Sequence, residues 1–347
     1  MKMNPLGRTG MTVSELCLGT MTFGTQTPEA DAHRQLDMAV EAGMNLIDTA
    51  ELYPVNPIAA ETCGDSEQIV GNWLAASGKR DEVLIATKVA GSGAKAIRDG
   101  APISPETITT AVEASLKRLQ TETIDLYQLH WPNRGSYHFR QNWTYNPADQ
   151  DTAAALADIT AALETLGKLV QAGKIRHIGL SNESAWGTAQ FLRIAEAAGL
   201  PRVATIQNEY SLLCRHYDLD LAELSHHEDV GLLAFSPLAA GILTGKYSGD
   251  TTPQGSRRSL NPTMSGRMTP QSLMVTDEYV ALAKSHGLDP VHMALAFCES
   301  RPFMAAAIVG ATTSGQLAHL LKGADLVLTK EVLAGIQAIY SRTPMPM

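Results

Sequence analysis

Short runs of apolar and β-branched residues recur along the whole chain, separated by segments whose apolar residues recur with helical spacing. The runs are ELCLG (15–19), MNLID (44–48), VLIATKV (83–89), IDLYQLH (124–130), IRHIGL (175–180), VATIQ (203–207), VGLLAF (230–235) and AAIVG (306–310). Most lack the polar/apolar alternation of a half-exposed strand, which predicts parallel strands covered on both faces. Helical spacing occupies 29–43, 65–77, 104–119, 153–172, 184–198 and 274–287. Strand and helix in alternation predict a parallel sheet with right-handed crossovers, either an open doubly wound sheet or a (β/α)₈ TIM barrel. Eight strand signals favour the barrel, as a single domain over residues 1–347.

Cap signals agree with these boundaries. Ser104-Pro105-Glu106 supplies an N-cap, a proline at the first helical position and an acid in the first turn, and Asp289-Pro290 opens MALAFCES in the same way. Three stretches, 90–103, 131–152 and 248–273, read as long loops after strands. In a barrel they lie on the C-terminal face, where such folds build their sites. Trp131, Tyr137, Phe139, Trp143 and Tyr145 crowd the second of them and predict an apolar wall, whose order without a ligand the sequence leaves open.

With 27 Lys and Arg against 36 Asp and Glu, the chain carries a net charge of -9, which does not attract nucleic acid or anionic lipid. Cys17, Cys63, Cys214 and Cys298 show neither a paired spacing nor a metal-ligand spacing, the pattern of reduced thiols in a cytoplasmic protein. No metal is expected. Neither a signal-peptide core nor a run of membrane-spanning length is visible.

Candidate chemistry follows from the strand ends. Asp48 ends the second barrel strand and Tyr53 follows it; Lys88 lies near the end of the third, and His130 ends the fourth. Singly, each has an ordinary structural reading as a cap, a packed ring or a solvated charge. Together at one rim they offer carbonyl polarisation and proton transfer. Lys88 beside Tyr53 would favour the phenolate, Asp48 would hold the lysine, and a neutral His130 would donate to a carbonyl oxygen. A barrel hydrolase or lyase using Asp48 and His130 gives Lys88 no task.

A cofactor signal is less direct. GSGAKA (91–96) matches G-x-G-x-x-A, but Gly and Pro in the following IRDGAPISP forbid the helix that this fingerprint must open. GATTSGQL (310–317) is the better phosphate site, entering a helix after the last strand. Lys246, Arg257 and Arg258 add positive charge in the loop after the seventh strand, suited to an adenosine 2′-phosphate.

Taken in order, LGRTGMTVSELCLGTMTFG, MNLIDTAELY, IATKV, IDLYQLHWP, GKIRHIGLSNES, TIQNEYSLL, FSPLAAGILTGKY and IVGATTSGQL resemble the aldo-keto reductases over essentially the full length. Length and the 131–152 insertion are most similar to the bacterial Tas-like branch. The resemblance implies a (β/α)₈ barrel that binds NADPH and reduces an aldehyde or ketone, a small-molecule carbonyl, to an alcohol. By position, it implies catalytic roles for Asp48, Tyr53, Lys88 and His130, with Tyr53, His130 and Trp131 facing the substrate. Thr20, Met21 and Asp48 would line the nicotinamide side; Ser181, Asn182 and Gln207 would meet its carboxamide, and Phe235 would stack on it. Ser236, Leu238, Gly241 and Lys246 fall on pyrophosphate and ribose contacts, and Arg257, Gly310, Thr312 and Gln316 on the adenosine phosphate. One departure stands out: His319 and Leu320 replace the Glu-Asn that related long-chain members use to hold adenine. The resemblance leaves a second reading, a cofactor-bound redox sensor or partner subunit with very slow turnover. Substrate identity and oligomeric partner are not read from the sequence.

Overall fold

All eight apolar runs form strands in the computed structural model, which describes residues 1–347. A hairpin that the pattern does not announce comes first: β1 (Met3–Pro5) pairs antiparallel with β2 (Thr12–Ser14). The barrel strands follow as β3 (Leu16–Gly19), β4 (Leu46–Asp48), β5 (Leu84–Val89), β6 (Ile124–Leu129), β7 (Ile175–Ser181), β8 (Val203–Glu209), β9 (Gly231–Phe235) and β10 (Met304–Val309). They close in the order β10-β3-β4-β5-β6-β7-β8-β9 with every pair parallel. This is the expected (β/α)₈ barrel.

Helices α1 (Glu29–Glu41), α2 (Asp65–Ser77), α3 (Pro105–Leu119), α4 (Thr152–Gln171), α5 (Ala185–Ala198) and α6 (Asp220–Glu228) alternate with the strands. After β9 come the short α7 (Arg257–Leu260), then α8 (Pro270–Ser285) and α9 (Pro290–Glu299); α10 (Ser314–Leu321) and α11 (Lys330–Arg342) follow β10. Ser104 accepts from the Thr107 amide and Asp289 from the Val291 amide, so both expected caps are present. The predicted 274–287 helix begins earlier, at Pro270, because Thr269 and Ser272 form a reciprocal capping box. No helix is long and apolar enough to cross a membrane.

Two layers of core hold the barrel. The larger lies between strands and helices; the smaller fills the barrel with Cys17, Leu46, Ala86, Leu126, Ala204, Leu233, Ala306 and Ile308. Leu6 and Val13 from the hairpin join this inner cluster and close the bottom. Gly7 is required there: its φ is +55°, and a Cβ would lie 2.5 Å from the Ala204 carbonyl oxygen. Side chains alternate along a strand, so the residue two positions beyond each inner apolar residue also points inward. From Leu46, Ala86 and Leu126 this rule leads to Asp48, Lys88 and Gln128. A polar layer therefore sits on the apolar one at the C-terminal end of the strands.

Candidate active site

Register brings the polar layer together. Asp48 pairs with Ala86 and Lys88 with Gln128 across neighbouring strands, and all three polar side chains are buried. The Lys88 ammonium donates to Asp48 Oδ2 at 2.6 Å and to the Thr49 carbonyl at 2.7 Å. The other carboxylate oxygen, Asp48 Oδ1, accepts from Gln207 Nε2 at 2.8 Å and Gln128 Nε2 at 3.3 Å. Gln128 can reach in because Gly179 stands beside it; a Cβ there would meet Thr205 Oγ1 at 2.6 Å and Gln128 Cγ at 3.1 Å. Burial works to strip the lysine of its proton, and the adjoining carboxylate overcomes it, so Lys88 is held above its ordinary pKa.

Tyr53 lies over this pair, its ring centroid 4.9 Å from Lys88 Nζ. The loop after β4 is fixed by backbone bonds from Gly64 to the Tyr53 carbonyl at 2.9 Å and from Val55 to the Met21 carbonyl at 3.1 Å. Desolvation is the dominant influence on the phenol and raises its pKa above the ordinary value, with Lys88 opposing. Lys88 does favour the phenolate, as expected, but burial outweighs it: the hydroxyl stays protonated, and the ammonium moderates the cost of losing that proton. His130 follows β6, with its ring centroid 5.9 Å from that of Tyr53. Burial, reinforced by Lys88, pushes its pKa well below the ordinary imidazole value, so the ring is neutral at pH 7. Its Nδ1 is buried without a partner. Placing the single proton on Nε2 avoids a buried unpaired N–H.

Beyond His130 the predicted residues continue as one connected set. Asn182, in left-handed backbone at φ 52°, donates from Nδ2 to the His130 carbonyl at 2.9 Å and to Ser181 Oγ at 3.1 Å. Its Oδ1 is buried with no hydrogen-bond partner. Ser181 Oγ donates to the Gln207 carbonyl at 2.9 Å, and Thr20 donates through N and Oγ1 to the Asp48 carbonyl at 3.0 and 3.1 Å. Trp131 packs 4.8 Å from the His130 ring and 6.1 Å from Phe139, and its Nε1 donates to the Ser92 carbonyl at 3.0 Å.

On the other side of the rim, half-buried Phe235 leads into a segment with positive φ at Ser236, Ala239, Ala240 and Gly241. Such successive turns bring backbone close to whatever lies above them. Lys246 folds over Gly241, its Nζ 3.3 Å from where a Cβ would be. The two loop arginines part company here. Arg258 pairs with Asp250 and donates to the Thr251 carbonyl at 2.8 Å, whereas Arg257 has no carboxylate partner. Burial, then repulsion from Arg267, presses the Arg257 guanidinium below its ordinary value, and it also feels the Tyr53 hydroxyl. At the start of α10, Gln316 Oε1 accepts from the Thr312 amide at 3.0 Å and hydroxyl at 3.2 Å. Asp31 takes the Ser314 amide and hydroxyl, each at 2.9 Å. Leu238 is half-buried, Gly310 is exposed and Leu320 is buried; His319 turns to Asp289, 3.2 Å away.

The sequence reading missed the groups that hold the rim in shape. Glu51, Glu183 and Glu209 follow or end strands, each at most 7% exposed, and each grips arginines from a neighbouring loop. Glu51 binds Arg98 of the 90–103 loop at 2.6 and 2.7 Å. Glu183 binds Arg134 of the 131–152 loop, whose guanidinium lies 5.1 Å from the Trp186 ring. Glu209 receives Arg267 at 2.8 and 2.9 Å and also Arg140, so one carboxylate joins the loops after β6 and β9. Loop 131–152 is therefore tied down by protein groups, a point the sequence left open. Acids directly after strand ends, facing loops with an unmatched arginine, were the available signal.

Comparison with known proteins agrees with this architecture. The Aldo/keto reductase family model matches residues 15–341. Protein tas of Escherichia coli strain K12 is 45% identical over 346 residues, covering 98% of this chain and 98% of its own. YrpG of Bacillus subtilis strain 168, named as an uncharacterized oxidoreductase, is 33% identical over 342 residues, covering 96% and 94%. A protein of Schizosaccharomyces pombe named as a putative voltage-gated potassium channel subunit beta is 30% identical over 352 residues, covering 98% and 93%.

The double clamp makes a stability prediction. Glu209→Gln leaves two arginines without a counter-charge, so the chain should lose about 3 kcal/mol in chemical denaturation. Limited proteolysis should accelerate in both 131–152 and 248–273; acceleration in one loop alone would mean that the two are not joined.

Proposed function

The chain belongs to the Aldo/keto reductase family, and from that membership we propose that it reduces an aldehyde or ketone to an alcohol with NADPH, Tyr53 supplying the proton. Members of this family are oxidoreductases acting on carbonyl groups and generally use a nicotinamide cofactor. The observation that carries the finer reading is the buried Lys88–Asp48 pair beneath the Tyr53 ring.

The residues present suit such a cofactor. Asn182 Oδ1 is an enclosed acceptor without a donor, beside Ser181 and the Gln207 strand end, and a carboxamide N–H₂ would satisfy it. Phe235 would stack on the nicotinamide, with Thr20 and Met21 on its side. Ser236, Leu238, Gly241 and Lys246 would hold the pyrophosphate and ribose. Arg257 is a cation without a counter-charge, suited together with Gly310, Thr312 and Gln316 to the 2′-phosphate that separates NADPH from NADH. Asp31 claims the Ser314 donors and Gln316 the Thr312 donors, so the phosphate would rely first on Arg257.

Bound NADPH would supply the hydride to the carbonyl carbon. His130, neutral at pH 7, donates from Nε2 to the carbonyl oxygen and orients it against Trp131 and Tyr53. As negative charge develops on that oxygen, the Tyr53 hydroxyl gives it a proton. Because burial keeps the phenol protonated well past neutrality, the donor is fully stocked at pH 7. Lys88 steadies the phenolate left behind, and Asp48 with Gln207 and Gln128 keeps the ammonium charged and fixed.

We place this activity in one barrel domain over residues 1–347 and in the cytoplasm, where four free thiols are at home. The likeness to a protein named as a channel subunit favours a second reading, a cofactor-bound sensor or partner subunit with very slow turnover.

Tyr53→Phe should lower kcat/KM for a small aldehyde by about 10³ while NADPH fluorescence titration shows unchanged binding. Wild-type protein that binds NADPH yet turns over no carbonyl would favour the sensor. Arg257→Met should weaken NADPH by about tenfold and leave NADH nearly untouched; equal losses for the two would remove this arginine from the 2′-phosphate.

A further inference from the structure

Away from the barrel mouth, Asp289, His292 and His319 bring three donor atoms within 4.8 Å of one another on the outer helices. Asp289 is the N-cap of α9; its Oδ1 accepts from the Val291 amide at 2.7 Å, which leaves Oδ2 for other work. Oδ2 lies 3.2 Å from His319 Nε2 on α10. Asp289 and His292 are three residues apart and so share one helix face. The His292 and His319 rings lie face against face at 4.9 Å, tilted by 31°. Their spacing hides the group in the sequence, because His319 comes 27 residues after His292.

An N-cap needs only the carboxylate, and an ion pair needs only one imidazole. Two imidazoles gathered around one carboxylate make a mixed nitrogen and oxygen set that suits a borderline transition ion, above all Zn²⁺, better than Mg²⁺ or Ca²⁺. Two ligands on a tetrahedral Zn²⁺ with bonds of about 2.0–2.1 Å stand about 3.3 Å apart. The Asp289 Oδ2 to His319 Nε2 separation already matches that. His292 has its orientation fixed by a hydrogen bond of 2.8 Å between Nε2 and the backbone carbonyl of His319, an atom that is not itself one of the ligands. Ligating histidines characteristically have such an outer partner on their second nitrogen. Asp289 and His292 are half-buried and His319 is exposed, so an ion can enter, and water can complete the shell.

We propose that Asp289, His292 and His319 form a binding site for a divalent transition-metal ion of the Zn²⁺ class. The ion ties the start of α9 to α10, the helix whose first turn carries Gln316. No step of carbonyl reduction passes through it, and the site stands whether or not the chain is a reductase.

The test is isothermal titration of the metal-free full chain with Zn²⁺, repeated with Co²⁺ by visible absorption. The protein should take up one equivalent. His292→Ala, His319→Ala and Asp289→Asn should each weaken binding at least tenfold. Asparagine keeps the N-cap, so its loss of affinity cannot be blamed on an unravelled helix. Cys63→Ser and the paired His226→Ala, His227→Ala change remove other accessible donors and should leave binding as it was. Absence of uptake would overturn the proposal. So would unchanged affinity in the three site variants, or uptake abolished by the cysteine or histidine-pair controls.

Discussion

Lys88 is a cation enclosed inside a barrel, and the upper half of the structure is arranged around that charge. Burial alone would expel its proton. The Asp48 carboxylate 2.6 Å away prevents this, and Gln207 and Gln128 occupy its remaining oxygen. Four strands, β4, β5, β6 and β8, contribute to the network, so barrel closure and ammonium placement are one requirement. Tyr53 and His130 then take their properties from position. Enclosure keeps the phenol protonated and the imidazole neutral, and the cation beneath makes the phenolate tolerable and an imidazolium more costly.

A second tier of buried charge holds the mouth. Glu51, Glu183 and Glu209 reach from strand ends to arginines of the long loops, converting irregular segments into a fixed rim. Buried ion pairs of this kind add little net stability over an apolar core, but one left half-broken is costly. Their effect here is geometric. The Arg140–Glu209–Arg267 bridge makes the loop that carries Phe139 and the segment that carries Arg257 move as one piece, and Trp131 is fastened separately to the Ser92 carbonyl.

The strands were legible because parallel strands covered on both faces are continuous apolar runs, and the four strand-end groups were legible because the barrel points its chemistry in one direction. What escaped has physical reasons. The hairpin strands are three residues long, and Met3–Pro5 is largely exposed, so it carries no apolar run. Helix α6 is a nine-residue polar segment with two buried residues, too few for a period to stand out. Gln128 lies two residues beyond an inner leucine, as Lys88 lies two beyond Ala86; the same alternation predicts both, but an amide attracts less notice than a charge. The glutamate clamps are pairings across 47 to 69 residues, which no local spacing records. The net rise at Tyr53 was not legible because desolvation depends on packing that a sequence does not display, while the lysine neighbour that opposes it is visible.

The central claim is that Lys88, held by Asp48, makes loss of the Tyr53 proton tolerable. The most direct measurement is the pH profile of kcat/KM for aldehyde reduction in wild type and Lys88→Met, with NADPH affinity followed in parallel. The account predicts a wild-type rate that is flat through neutrality and falls only in the alkaline range. In Lys88→Met it predicts a rate about 10² lower at pH 7, with NADPH still bound. A variant that keeps the wild-type rate and profile would contradict it.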